Sequence, residues 1–82
     1  MSVERMLAEP IQDFDSRLTS MIDDELYETM RSLEAASETP PRGIDVDDVL
    51  ARIAIAESAI ERRYPGQLLR PYQEWKKRQR SS

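Results

Sequence analysis

Residues 11–38 contain neither glycine nor proline, and through them Ile11, Phe14, Leu18, Ile22, Leu26, Met30 and Leu33 recur every three or four positions. That spacing matches the 3.6-residue turn of an α-helix and excludes the strict alternation of a half-buried strand. Met21 and Tyr27 widen the stripe, and Asp23, Asp24, Glu25 and Glu28 occupy the opposite side. The pattern predicts one long helix over 10–38, with Asp13 or Asp15 accepting from free amides near its start. Ser37-Glu38-Thr39-Pro40-Pro41 ends it, because proline has no amide hydrogen and pushes its predecessor out of the helical region.

An extended linker, 39–44, leads to a second helix over 45–64. Asp45 is its expected N-cap, and Asp47 and Asp48 suit the positive pole of the helix dipole. Placed at 100° intervals, Val46, Val49, Leu50, Ile53, Ile60 and Tyr64 share one face. Two residues break the rule. Glu57 falls in the middle of that apolar face, and Ile55 falls opposite, among Arg52, Glu61 and Arg62. A buried lone carboxylate is costly. Either Glu57 is paired across an interface and Ile55 marks a second contact surface, or the helix is slightly rotated, leaving Glu57 at the edge and Ile55 singly exposed.

Tyr64-Pro65-Gly66 stops the second helix, and Pro71 suits the first turn of a shorter third one running to about residue 78 or 79. Residues 2–9 are expected to add a helical turn. The sequence has no strand alternation and no internal repeat. The expected fold is therefore all-α: a single domain with a helical hairpin of two long amphipathic helices and a short C-terminal helix.

At 82 residues, a domain buries only about 60–65% of the surface its unfolded chain exposes, so chains of this length commonly need a staple. The chain has no cysteine and no histidine. That removes disulfides, thiolate and imidazole metal ligands, and the commonest general base. Dimerisation or a partner protein is the staple left. No Ser–His arrangement exists, the two glycines cannot build a phosphate loop, and Asp45-Val46-Asp47-Asp48 lacks the later ligands of a calcium loop. No catalytic residue, cofactor, metal or small-molecule substrate is expected. No apolar run approaches the roughly 20 residues of a membrane span, and the N-terminus has no signal-peptide core, so a soluble, cytoplasmic protein is the expectation.

Net charge is −4, but it is divided unevenly. Residues 1–61 carry five Lys/Arg against fifteen Asp/Glu, whereas residues 62–82 carry seven against one. Three of the five aromatic residues also lie in this C-terminal segment. It admits three readings. It folds back to complete the core; it docks on a protein through Leu68, Leu69, Tyr72 and Trp75 with basic residues as rim; or it binds nucleic acid through Lys76, Lys77, Arg78 and Arg80 with the aromatics stacking on bases. The prolines at 65 and 71 divide it into a turn and a short helix, which suits docking better than a flexible basic arm. The sequence points to a non-enzymatic helical interaction module, a small regulator, inhibitor, antitoxin-like neutraliser or adaptor that binds another protein or itself. Ile55, Glu57, Leu68, Leu69, Tyr72 and Trp75 are its candidate contacts. The alternatives are a nucleic-acid-binding regulator, or an acidic mimic that presents Asp23, Asp24, Glu25 and Glu28 to a DNA-binding protein.

Overall fold

A computed structural model describes residues 3–81, and its secondary structure there is entirely helical. Five helices follow in order: α1 (Val3–Ala8), α2 (Ile11–Thr19), α3 (Asp23–Glu38), α4 (Val46–Arg63) and α5 (Arg70–Ser81). None of the described helices is long and apolar enough to cross a membrane. The Cα radius of gyration is 12.4 Å. The largest contact is between α3 and α4, with α2 also on α4 and α1 on α3.

The continuous helix expected over 10–38 is two helices. Pro10, not Asp13 or Asp15, precedes the first turn of α2, and both aspartates lie within that helix. The break at 20–22 has local and distant causes. The amides of Ser20 and Met21 donate to the carbonyls of Arg17 and Leu18, tightening the last turn, and the Ser20 hydroxyl also donates to Arg17. On the other side, the Glu25 carboxylate accepts the Ile22 amide at 3.1 Å, so the acidic run read as a solvent face instead begins a helix. Apolar spacing carries through the break, but Ile22 itself is 65% exposed.

The second departure is the rotation of α4. Its buried side is Val49, Arg52, Ala56, Ala59 and Ile60. Val46 and Leu50 from the expected apolar face are exposed, at 37% and 49%. Arg52, expected on the polar side, is only 5% exposed. Its guanidinium donates to the carbonyls of Met6 (3.1 Å), Leu7 (3.2 Å), Glu9 (2.8 Å) and Asp48 (3.0 Å), and lies 5.9 Å from the Phe14 ring centroid. The end of α1 has carbonyls without helical partners, and Arg52 satisfies them. Each such charge-assisted bond contributes about 1.5–3 kcal/mol, enough in sum to outweigh hiding Val46 and Leu50.

Arg63 repeats the device eleven residues, or about three helical turns, later. It donates to the carbonyls of Leu18 (3.1 Å) and Met21 (2.6 Å), closing the end of α2, and to the Asp23 carboxylate at 2.8 Å. The α4 N-terminus follows expectation, with Asp45 accepting the Asp47 amide at 2.9 Å.

One apolar cluster runs through the chain, from Met6, Phe14 and Leu18 through Leu26, Met30 and Leu33 to Ile60, Tyr72 and Trp75. Among the described residues no buried side-chain nitrogen or oxygen lacks a hydrogen-bond partner. A single copy therefore closes a core.

Candidate protein-docking site

The C-terminal segment divides into a closed part and an open part. In the closed part, the first turns of α5 lay Tyr72 and Trp75 against Tyr27 of α3, with both ring centroids 5.8 Å from that of Tyr27. Both side chains are buried. The Tyr72 hydroxyl donates to Glu34, and Lys76 reaches the same carboxylate at 3.3 Å while lying 4.8 Å above the Tyr72 ring. Arg31 covers the Trp75 ring at 5.2 Å and pairs with Glu28 at 2.7 Å. Burial and the Glu34 carboxylate push the Tyr72 phenol far above its ordinary range, and burial pushes Tyr27 up to about 12.

The segment 64–69 has to reverse the chain so that α5 reaches Tyr27. The Tyr64 amide still closes on Ile60, Gly66 takes φ 78°, and the Gly66 amide donates to Glu61 at 2.7 Å. Tyr64 also donates its hydroxyl to Asp23. With Arg63 alongside, that bond holds the Asp23 carboxyl below its usual range, and Asp23 in turn raises the Tyr64 phenol. Leu68 and Leu69 then follow in the left-handed region, at φ 52° and 64°. That region costs an L-residue roughly 1–2 kcal/mol. It persists here because α4 on one side and the buried α5 aromatics on the other determine the path.

Leu69 tucks against the core, but Leu68 is 85% exposed. Between this loop and α4 lies a groove of about 680 Å³. Its floor is Ala54 and Ser58, its loop wall is Leu68 and Leu69, and Glu57, Glu61 and Arg62 form its rim. Ala54, Ser58 and Arg62 are shared with an adjoining recess of about 260 Å³ that Ile55 and Asp15 complete. Four of the six contact residues named from sequence, Ile55, Glu57, Leu68 and Leu69, thus surround one outer region of the molecule. Glu57 is exposed on the rim, as a rotated helix leaves it, whereas Ile55 is half-buried against the core and not singly exposed. Tyr72 and Trp75 lie elsewhere, inside the chain's own core.

Sequence reasoning missed Ala54, Ser58, Val46 and Leu50 as outer-face residues. The signal was in the spacing, since 46, 50, 54 and 58 form one i,i+4 row, but Val46 and Leu50 counted as core there. Of the basic residues, Lys76 is engaged with Glu34, while Lys77, Arg78 and Arg80 are on the exposed side of α5. The acids proposed as a phosphate-like surface have structural partners in three cases: Asp23 with Arg63 and Tyr64, Glu25 with the Ile22 amide, and Glu28 with Arg31.

A second recess, of about 660 Å³, follows the seam of α2 and α3 past Met6, Met21 and Thr29. Of its charged lining, Arg17 binds Glu9 at 2.7 Å, which holds the Glu9 carboxyl low, Glu28 binds Arg31, and Glu25 accepts the Ile22 amide. The chain matches no protein-family model, no curated protein and no solved structure. The functional reading therefore rests on site chemistry.

Proposed function

We propose that the chain is a non-enzymatic interaction module, a small regulator, inhibitor or adaptor, that docks another protein on the outer face of α4 and the 64–69 loop. One observation carries this reading: a leucine held 85% exposed, in a backbone conformation that leucine disfavours, in the wall of a groove floored by the small residues Ala54 and Ser58. The chain reversal accounts for the strained path but not for a leucine left in solvent at its tip, and strained backbone of this kind concentrates at ligand clamps and switch sites. The groups with shifted pKa values support a binding role over a catalytic one. Glu9, Asp23, Tyr27 and Tyr72 sit in contacts that fasten helices together, away from the groove, and Tyr64, at the start of the loop, is tied back to Asp23 of α3.

The test is site-specific photo-crosslinking in cells that naturally make the protein. A photoreactive side chain at position 68 is expected to give a discrete protein adduct, and one at Gln12, on the exposed side of α2, to give none. Equal labelling from both positions, or none from position 68, overturns the reading.

A nucleic-acid role has one observation in its favour. Arg70, Lys77 and Arg80 are exposed and share one side of α5 by helical spacing. Its test is binding to DNA and RNA at low salt, where Lys77→Ala with Arg80→Ala should flatten the salt dependence. An absence of affinity at low salt ends that reading.

A further inference from the structure

We infer that the occupant of the α4 face is a basic amphipathic helical segment of another protein, and not a second copy of this chain. The inference rests on the docking reading above and adds the chemistry of the partner.

Shape comes first. Val46, Leu50, Ala54 and Ser58 stand one turn apart along the outside of α4, a row about 18 Å long at 1.5 Å per residue. Leu50 and Leu68 are large and exposed at either side of the small Ala54 and Ser58. The face is therefore a hole between two knobs. It takes a leucine-sized side chain in the middle and smaller contacts a turn away on each side, as in helix-in-groove recognition.

Charge decides between occupants. Asp47, Glu57 and Glu61 lie on the same side of α4 as Leu50, and all three are exposed. Among the described residues Arg62 is the one cation lining the groove, 3.8 Å from Asp15. Pairing this face with its own copy would bring two acidic rims together as they lose water, and like-charge juxtaposition is costly at an interface. The chain's own basic helix cannot supply the anchors either, because the aromatic side of α5 is buried against Tyr27. An occupant with leucines on one side and Lys or Arg flanking them satisfies both shape and charge.

The experiment uses the full chain and two synthetic 18-residue probes labelled with a fluorophore. Each carries leucines at helical i, i+3/i+4 spacing; one has lysine and the other glutamate at the flanking positions. Fluorescence anisotropy is expected to show saturable binding of the lysine probe and none of the glutamate probe. Leu68→Ser should weaken the lysine probe by about tenfold, as for an interface anchor. Glu57→Lys should also weaken it, by about threefold or more, while Asp13→Lys with Asp24→Lys, reversing exposed acids elsewhere, should change affinity less than about twofold. All these positions are exposed, so circular dichroism should be unchanged. Equal binding of both probes, binding of neither, or an equal loss from the Asp13/Asp24 variant overturns the inference. So does a dimer by light scattering that Leu68→Ser converts to monomer, which identifies a second copy as the occupant. In these cases a position-68 crosslink still upholds docking, so the two readings fail separately.

Discussion

The inner and outer faces of α4 contradict ordinary burial in opposite directions. Inside are two arginines, Arg52 and Arg63, three turns apart; outside are Leu50 and, beyond the helix end, Leu68. The inner charges make sense because each meets several carbonyls at or just beyond the end of a preceding short helix. The outer leucines remain largely in solvent, 49% and 85% exposed. The contrast teaches that in a domain this small the placement of hydrogen-bond acceptors can turn a helix on its axis, and that the apolar residues displaced by the turn become surface.

The strongest way to break this comparison is Arg52→Met, which keeps length and removes the donors. It should cost about 3 kcal/mol, because the buried Met6 carbonyl and the part-buried carbonyls of Leu7 and Glu9 lose a charged donor. For a domain of this size that lowers the melting temperature by roughly 12–24 °C, measurable by thermal denaturation. Wild-type stability in that variant would mean that carbonyl capping does not set the rotation of α4.

Arg63→Met should cost less, about 1–2 kcal/mol, since Arg63 is half-buried and water can replace part of its bonding. Its partner Asp23 adds a pH signature. The folded carboxyl titrates below its unfolded value, so its contribution is complete above the unfolded pKa of about 3.9 and disappears as pH falls through the folded one. Urea unfolding from pH 6 to 2 should show a shallower acid loss in Asp23→Asn than in the wild type. At the other extreme, the buried Tyr27 phenol titrates at about 12. Stability resting on its neutral form is complete below about pH 10 and falls between about 10 and 12, a loss that Tyr27→Phe should reduce.

On the outer face the sign should reverse. Leu68→Gly removes left-handed strain and should raise stability by up to about 1 kcal/mol, after the entropic cost of glycine is deducted. The same change should weaken probe binding by about tenfold, so stability would rise as function falls. Leu50→Ser should move stability least, by no more than about 0.5 kcal/mol. A larger loss would show that the outer row contributes to the core.

Legibility followed the range of the interaction. Asp45 as an N-cap, the helix stop before Pro40 and the turn at Tyr64-Pro65-Gly66 are local, and all were readable. The break at 20–22 was half readable. Ser20 followed by Asp23-Asp24-Glu25 is a helix stop and start, but the uninterrupted apolar spacing masked it. Glu57 and Leu68 were readable as anomalies, whereas their meeting in one groove was not. Tyr72 and Trp75 looked like the best anchors because aromatics rimmed by cations serve equally well inside and outside.

The sequence by itself determined that the chain is helical, where most of its helices end, and that acid and base are divided along it. These follow from backbone propensity, capping and composition, which act over a few residues. Only the tertiary structure decided which face of α4 turns inward, that Tyr72 and Trp75 close on Tyr27, and that Leu68 is left outside. Those outcomes depend on residues some 40 positions apart, Arg52 with Met6 and Tyr72 with Glu34. Helical spacing says which residues share a face; only the distant partners say where that face is directed.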